Sequence, residues 1–428
     1  MKLLNITQYL TTGLLCGVFT FALAQTSPSQ PQLPSQPEQR PGIPHLPVPS
    51  GPFGIGRIGY EWVDTSRPEV HPAEPQAHRD LMVYLWYPAP KGEYGKVGVY
   101  LPGAEQMDAD LPIQSAIREE FGGNWPFIVS GAILSHAIEA APVAKTPRKF
   151  PVTIFAHGLG STSFEYTALI EDLVSRGYVV AAIENTYMAA AVAFPHGRIV
   201  PAYHEPTPAG LSADQRFQRM VKMAGLQIAT GARDMVFVLN KLTQLNGGNA
   251  QNFTLAGRLD MGRVAAMGHS AGGAIAAQAC QIEDRFKACL SLEGEMPPIA
   301  AFPEDPNGET FTQPVLLLEV DQGGRWIGFN AAQNDAYIKK REDQLNKCPT
   351  GSYDVLLKSA GLFHGSFSDY PLLSASGKST ETEVALHNLR LTQSFILAFL
   401  DKYLKDAREP LLDSGQNPAE ATVKRYGH

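Results

Sequence analysis

Short runs of apolar residues recur along most of the chain, and polar or turn-forming residues bound each of them. Runs of this length without polar alternation are typical of strands that are buried on both faces. They lie at residues 81–87, 152–156, 178–183, 264–267, 289–292, 315–320 and 353–357. The pattern therefore predicts a buried sheet.

Longer stretches with a helical spacing of apolar residues separate several of these runs. The clearest are residues 214–245 and 382–404. In the second stretch, large apolar side chains recur every four residues, at Leu391, Phe395, Phe399 and Tyr403. Because strands and helices alternate, we predict an α/β fold with a mostly parallel central sheet and helices on both faces.

The N-terminal residues have the pattern of a secretory signal peptide. One lysine precedes an apolar run at 10–23, which ends in the small-x-small sequence Ala-Leu-Ala at 22–24. The run is short for a membrane anchor and contains threonines, and a leucine precedes Cys16 where a lipoprotein site needs a small residue. We expect residues 1–24 to be removed and the mature protein to be secreted or periplasmic.

Residues 25–50 are rich in proline, serine and glutamine, and they contain no run of apolar residues. Such a composition is typical of an extended spacer rather than of a packed domain. We therefore predict a proline-rich linker at 25–50 and one catalytic domain at 51–428.

Composition narrows the classes of function. The chain has 428 residues and a formal net charge of −7, which argues against a surface that neutralises nucleic-acid phosphates. A Gly-x-Gly-x-x-Gly match at 54–59 lacks the βαβ context of a dinucleotide site, because it follows the proline linker. We interpret it as a glycine-rich lead-in to the first strands.

The most informative motif is Gly-His-Ser-Ala-Gly at 268–272, which joins a predicted strand to an alanine-rich helix. This is the context of a nucleophile elbow, in which Ser270 would sit on a sharp turn. Glycines are needed at 268 and 272 because side chains would collide there, and the helix N-terminus adds a positive partial charge. The competing interpretation is a structural serine at the start of a helix.

A serine hydroxyl is a weak nucleophile and needs a base, which follows the acid and the serine along the chain in this type of site. Downstream histidines are His364, His387 and the terminal His428. His387 falls inside the predicted terminal helix, whereas His364 lies in a glycine-containing loop after the last predicted strand. We predict His364 as the base.

Two carboxylates are candidates for the acid. Asp321 ends the predicted strand at 315–320, and Glu293 ends the one at 289–292. Either position could reach the same imidazole, so spacing alone leaves both open.

The oxyanion hole requires two backbone N–H groups. One belongs to Ala271, directly after the nucleophile, and the second is expected from the glycine-flanked Leu159 after the strand at 152–156. His157 precedes this loop, and we expect it to have a structural or loop-orienting role.

Taken together, several segments resemble the platelet-activating-factor acetylhydrolase family of α/β-hydrolases, the secreted lipoprotein-associated phospholipase type and its bacterial relatives. The resemblance extends over residues 51–404. The segments that carry it are Phe-Ala-His-Gly-Leu-Gly at 155–160, Gly-Tyr-Val-Val-Ala-Ala-Ile-Glu at 177–184, Gly-His-Ser-Ala-Gly-Gly at 268–273 and Phe-His-Gly-Ser-Phe-Ser-Asp at 363–369.

The resemblance implies an α/β-hydrolase fold and serine esterase chemistry without a metal or cofactor. In that family the acid follows the strand after the nucleophile helix, in a Leu-Asp-x-x-Met-x-Pro setting. Leu-Glu-Gly-Glu-Met-Pro-Pro at 292–298 matches it, with Glu in place of Asp, so the resemblance favours Glu293 over Asp321. The implied catalytic set is Ser270, Glu293 and His364.

Residues 101–147 form a predicted lid-like insertion, in which Ile113, Ile117 and Phe121 share a helical face ahead of Trp125. In the family the corresponding region borders the active site and contacts lipid surfaces. The competing interpretation is a helix packed over the core.

We predict hydrolysis of short or oxidised acyl esters of lipids or lipid-like small molecules, with apolar contacts to lipid. The first alternative is a polyester, cutinase-like or aryl-ester hydrolase, with Trp125, Tyr187 and Trp326 in an aromatic cleft. The second is a noncatalytic binding module that retains the fold.

After loss of Cys16, three cysteines remain. Cys280 and Cys289 flank the turn from the nucleophile helix into the next strand, so they are the first choice for a disulfide, which leaves Cys348 as a thiol.

Overall fold

An eleven-stranded sheet runs through the part of the chain that the structure describes. The structure is a computed structural model, and it describes residues 42–69, 76–93, 95–203, 205–248, 253–294, 311–321, 331–375, 378–416 and 418–427. The predicted signal peptide at 1–24 and most of the predicted linker lie outside the described residues.

The strands of the main sheet have the following bounds: β1 Gly54–Pro68, β2 His78–Ala89, β3 Val97–Val99, β4 Leu134–Glu139, β5 Phe150–Ala156, β6 Val179–Glu184, β9 Leu259–His269, β10 Phe286–Leu292, β11 Val315–Val320, β12 Ser352–Leu357 and β13 Ala421–Tyr426. Two short strands, β7 Ala191–Ala193 and β8 Ile199–Pro201, form a separate hairpin. All seven runs that were predicted as strands are confirmed.

The spatial order of the main sheet is β13-β12-β11-β10-β9-β5-β6-β2-β1-β4-β3. The six central strands, from β12 to β6, pair in parallel. Strands β2 and β13 join the two sides of this block in antiparallel pairing. Because the central strands are parallel, their carboxyl ends meet at one edge of the sheet.

The helices are α1 Ala104–Ala109, α2 Leu111–Phe121, α3 Trp125–Val129, α4 Thr167–Ser175, α5 Ala213–Gly247, α6 Ala271–Ile282, α7 Ala331–Leu345, α8 Tyr370–Ser374, α9 Ser379–Leu404 and α10 Pro410–Asp413. Short 3₁₀ turns occupy Gly122–Asn124, Ser163–Tyr166, Pro195–Gly197 and His364–Phe367. The two long helices predicted at 214–245 and 382–404 correspond to α5 and α9.

The core has two layers, one on each face of the sheet. Successive side chains of β5 alternate between them: Phe155 packs in the layer that contains α4 and α9, and Ile154 packs in the layer that contains α5 and α6. Within α9, Phe395 and Phe399 are fully buried. The predicted α/β fold with helices on both faces of a mostly parallel sheet is therefore confirmed.

The glycine-rich lead-in is part of a longer strand than its sequence suggested. β1 extends to Pro68 through a stretch that reads as polar, because alternate residues there face solvent. A side chain at Gly56 would lie 2.3 Å from the ring of Tyr87, and one at Gly59 would lie 2.8 Å from the ring of Tyr84. These glycines make room for aromatic rings on β2, which is a packing role.

The end of the predicted linker also differs from a free spacer. Leu46 is buried in the core layer that contains α4 and α9, and the Ser50 hydroxyl donates to Asp172 on α4 at 2.6 Å. Prolines on both sides favour an extended backbone, which lets a single leucine between them reach the core. Within 42–50, Pro44 and Leu46 are buried, so this end of the predicted linker contacts the domain at these positions.

The insertion between β3 and β5 packs inward. Ile113, Ile117, Phe121 and Trp125 are all buried, and the Trp125 indole donates to Asp108 at 2.7 Å. The apolar face of α2 is therefore covered by the core, as expected for a helix packed as a lid, and these side chains are not on the surface.

Cys280 and Cys289 form a disulfide, as predicted, and Cys348 is a buried thiol. The disulfide joins the end of α6 to β10. Among the described helices, none combines the length and apolar character needed to cross a bilayer.

Candidate active site

Ser270 occupies a strained turn at the carboxyl edge of the sheet. β9 ends at His269 and α6 begins at Ala271, so the serine between them takes φ 56° and ψ −124°. A side chain at Gly268 would lie 2.1 Å from the Gly272 carbonyl oxygen, and one at Gly272 would lie 2.1 Å from that of Ala156. Both glycines are therefore required by close backbone contact, as the motif predicted.

His364 and Glu293 converge on this serine from two other segments of the same edge. His364 Nε2 lies 2.9 Å from Ser270 Oγ, and His364 Nδ1 lies 2.9 Å from Glu293 Oε2. The second carboxylate oxygen, Oε1, accepts the Val320 N–H at 2.7 Å. The carboxylate is buried, whereas the imidazole is 39% exposed.

The other candidate for the acid, Asp321, is not a hydrogen-bond partner of the His364 imidazole. Both ring nitrogens of His364 are already used by Ser270 and Glu293, and Asp321 is an exposed residue whose N–H donates to the Leu357 carbonyl. His387 pairs with Glu420 on the surface of α9. Of the motif that suggested Glu293, residues 295–298 lie outside the described residues, as do Trp326 and His428.

The loop after β5 packs directly beside the elbow. A side chain at Gly158 would lie 3.5 Å from Ser270 Cβ. His157 Nδ1 lies 2.7 Å from the Gly158 carbonyl, and its Nε2 accepts the Asn185 N–H at 3.3 Å. A carbonyl can only accept, so the proton of His157 is on Nδ1.

This contact orients the peptide between Gly158 and Leu159. In a trans peptide the C=O and N–H point in opposite directions, so holding the Gly158 carbonyl on His157 turns the Leu159 N–H away from that ring. The orientation matches the loop-orienting role expected for His157. Ala271 is the first residue of α6, where an N–H has no intrahelical acceptor.

Two further residues at the site carry contacts that sequence reasoning did not assign. His269 Nδ1 lies 2.8 Å from the Tyr166 hydroxyl, and His269 Nε2 lies 2.9 Å from the His364 carbonyl oxygen. In the sequence, only its place inside the elbow motif pointed to His269 as a site residue. Nothing pointed to Tyr166, because it lies 103 residues before His269 in the chain.

Asp369 anchors the loop that carries His364. It is almost fully buried, it accepts the Ala168 N–H at the start of α4 at 3.1 Å, and the Tyr100 hydroxyl donates to it at 3.1 Å. Burial raises the pKa of Asp369 well above its ordinary value. Asp369 thus ties the histidine loop both to α4 and to the insertion.

Exposed apolar side chains follow or precede residues of the site along the chain: Leu159 follows Gly158, and Phe363 precedes His364. Leu159 and Phe363 are nearly half exposed, and Tyr370 follows on α8. Among the described residues, no three potential metal ligands of the His, Cys, Asp and Glu types converge.

The burial of His157 gives a testable pH dependence. Burial lowers its pKa to about 4 from an ordinary value near 6.5. Between these values the unfolded chain binds a proton that the folded chain excludes, so this group makes stability fall as the pH falls through that window. We expect His157→Gln to reduce the slope of unfolding free energy against pH between about 4.5 and 6 by close to one proton, about 1.4 kcal/mol per pH unit. Urea unfolding at several pH values measures it.

Glu184 provides a control of opposite sign. Burial raises the pKa of this carboxyl to about 7, so the folded chain retains a proton that the unfolded chain releases. Glu184→Gln should therefore increase the same slope between about 5 and 7. A slope that neither variant changes would contradict the assignment of both groups.

The chain is similar to several known proteins. A family model described as platelet-activating factor acetylhydrolase, isoform II, matches residues 45–417. Platelet-activating factor acetylhydrolase of Gallus gallus is 25% identical over 287 residues, which are 62% of this chain and 64% of that protein. The Cavia porcellus protein of the same name is 25% identical over 391 residues, 84% of this chain and 78% of that protein. The aligned region is thus less than two thirds of the Gallus gallus protein.

Among solved structures, a ferulic acid esterase from Streptomyces cinnamoneus matches with a TM-score of 0.66 and 26% identity, over 89% of this chain and 99% of that chain. The fold is therefore the α/β-hydrolase fold. Because the family model spans most of the sequence, the chain belongs to the platelet-activating factor acetylhydrolase, isoform II, family.

Proposed function

We propose that the protein is a serine hydrolase of carboxylic esters, with Ser270 as nucleophile, His364 as general base and Glu293 as the acid. The observation that carries the proposal is the continuous chain of contacts from Ser270 Oγ through His364 to the buried Glu293 carboxylate, with 2.9 Å at each step. A hydroxyl needs such a base to become nucleophilic at neutral pH.

The reaction follows from this order of groups. Ser270 Oγ attacks the ester carbonyl while His364 Nε2 takes its proton, and the imidazolium then returns that proton to the leaving alcohol oxygen. Glu293 holds the proton on Nδ1 and stabilises the cation. Water, activated by the same imidazole, then attacks the acyl-serine carbonyl and releases the acid.

The developing oxyanion would be held by the N–H groups of Leu159 and Ala271. The N-terminus of α6 adds a positive partial charge beside Ser270. Removing one donor of this kind typically costs 10² to 10³ in kcat, so the hole is a major part of the expected rate.

For the substrate we propose short or oxidised acyl esters of lipids or lipid-like small molecules, in apolar contact with the protein. The half-exposed Leu159 and Phe363 beside the reacting groups support apolar contact with a substrate. The names of the relatives, platelet-activating factor acetylhydrolases, support a lipid ester.

An aryl ester is the second candidate. The observation that favours it is the structural similarity to an enzyme named as a ferulic acid esterase, over nearly all of that chain. Of the aromatic residues first suggested as a cleft for a ring, Trp125 is buried in the core, so it does not support this candidate.

An ester panel tests these proposals. We expect the purified protein to hydrolyse platelet-activating factor and p-nitrophenyl acetate faster than p-nitrophenyl palmitate, methyl ferulate or an aromatic polyester. Ser270→Ala should lose on the order of 10⁴-fold in kcat, with Ser414→Ala, an exposed serine on the surface, as the matched control. Faster turnover of methyl ferulate or the polyester would overturn the lipid proposal.

The same proteins address the noncatalytic alternative. A fluorophosphonate should label the wild type at Ser270 and leave Ser270→Ala unlabelled. A wild type without labelling or turnover would indicate a binding module that retains the fold.

The two acid candidates are separated by matched amide variants. Glu293→Gln should lower kcat on the order of 10³- to 10⁴-fold, because the amide no longer stabilises the imidazolium and favours the wrong tautomer. Asp321→Asn should stay within about twofold of the wild type, since neither nitrogen of His364 depends on it. Steady-state kinetics on one ester measure both, and a collapse of Asp321→Asn alone would reverse the assignment.

We also propose that the protein is exported, with cleavage after Ala24. The signal-like N-terminal sequence and the buried Cys280–Cys289 disulfide support this, because disulfides persist mainly in oxidising compartments. The full-length chain, expressed in a bacterium, should be recovered outside the cytoplasm with an intact mass that begins at Gln25 and lacks two hydrogens. Uncleaved protein that remains in the cytoplasm would contradict export.

A further inference from the structure

Two side chains at the site, His269 and Tyr166, take no part in the chemistry described above. His269 is in the elbow but is only 4% exposed, and its ring centroid lies 4.6 Å from that of His364. Tyr166 ends the short turn that precedes α4, and it is also buried. Their hydrogen bonds reach three separate segments of the site.

The direction of every hydrogen bond in this set follows from its partners. The His364 carbonyl can only accept, so His269 Nε2 carries the proton and donates to it at 2.9 Å. His269 Nδ1 is then an acceptor, and the Tyr166 hydroxyl donates to it at 2.8 Å. The oxygen of that hydroxyl accepts the Gly158 N–H at 3.2 Å. The bonds run in one direction from the Gly158 amide to the His364 carbonyl.

The charge state of His269 determines the direction of these hydrogen bonds. Burial and the neighbouring His364 lower the pKa of His269 to about 3, so the ring stays neutral across the range in which an esterase operates. A protonated ring would donate from Nδ1 as well, which would reverse the hydrogen bond with the Tyr166 hydroxyl. In addition, aligned hydrogen bonds in a buried setting polarise and strengthen one another.

The two ends of the set are groups that the proposed reaction depends on. Gly158 immediately precedes Leu159, the proposed oxyanion donor, and the His364 carbonyl belongs to the residue proposed as the base. Phe367 also packs on His269, with 5.5 Å between ring centroids, so the turn that carries His364 is held by both a hydrogen bond and ring contacts.

We propose that His269 and Tyr166 are positioning residues. Their three hydrogen bonds, which we call the relay, hold the backbone of His364 at a fixed position relative to the oxyanion loop. This inference rests on the proposed function, since it names residues that act through Ser270, His364 and Leu159. Neither side chain contacts the reacting atoms, so both are positioning residues. Their effect should be on the transition state, with little effect on ground-state binding.

The first test removes only the hydroxyl of the relay. Tyr166→Phe should lower kcat for p-nitrophenyl acetate about tenfold, with KM within twofold, and should weaken a trifluoromethyl ketone inhibitor in proportion. Tyr87→Phe is the matched control, because Tyr87 is a buried tyrosine whose hydroxyl likewise donates a hydrogen bond, to the Ala141 carbonyl, at the opposite edge of the sheet. Tyr87→Phe should keep the wild-type kcat.

The second test compares two side chains of similar length at position 269. The amide of His269→Gln can still donate to the His364 carbonyl, whereas His269→Met fills similar space without a donor. We expect Gln to retain at least tenfold more kcat than Met, at similar melting temperatures. If Gln and Met have equal kcat, or if Tyr166→Phe matches the wild type, the relay is wrong and the two residues only fill the core.

Failure of the relay is distinguishable from failure of the proposed function. If the wild type is labelled by a fluorophosphonate and hydrolyses the ester, the proposed function holds whatever the relay variants do. If the wild type and Ser270→Ala are equally inactive, the proposed function fails first.

Discussion

The site depends on the backbone of one residue, Ser270. A non-glycine residue at φ 56° is strained, typically by about 1 to 3 kcal/mol, and persists only where the surroundings leave it no alternative. Here the surroundings are backbone atoms in close contact. Gly268 lies against the Gly272 carbonyl and Gly272 against the Ala156 carbonyl, which leaves no room for side chains at the two glycines. This backbone conformation places the Ser270 hydroxyl 2.9 Å from His364 Nε2, directly before the first residue of α6.

The parallel strands bring the remaining groups to the same edge. β5, β9, β10 and β11 all end there. β5 continues into the loop beside the elbow, β9 into the elbow itself and β10 into Glu293, whose carboxylate accepts the N–H of the last residue of β11, Val320. Hydrogen bonds between the loops at this edge then fix the backbone positions of the site residues. His157 and His269 are neutral rings in opposite tautomers, and each donates to a backbone carbonyl, of Gly158 and His364 respectively. Burial prevents their protonation, whereas His364 is partly exposed and can exchange protons with a substrate and water.

The sequence was sufficient for the features that depend on local pattern. Buried strands read as apolar runs, the elbow reads as glycines around a serine at a strand-to-helix junction, and the Cys280–Cys289 pair follows from its position around one turn. Features that depend on distant neighbours were not accessible in this way. The polar half of β1 does not read as a strand, because its pairing with β2 is what defines it. Tyr166 has no sequence signal, because its role exists only once α4 packs beside the elbow.

The proposed acid, Glu293, also combines a local sequence pattern with packing between distant segments. Spacing left Asp321 and Glu293 open, and only the resemblance to a family favoured Glu293, with Glu in place of the family's Asp. Glu293 has φ 50°, and Gly294 and Gly273 are in such close contact that a side chain at Gly294 would lie 2.6 Å from the Gly273 Cα. The parallel pairing of β10 with β11 directs the Val320 N–H at one carboxylate oxygen, which leaves the other for His364. The position of the Glu293 carboxylate is therefore set by the sheet edge and by the close contact of Gly273 with Gly294.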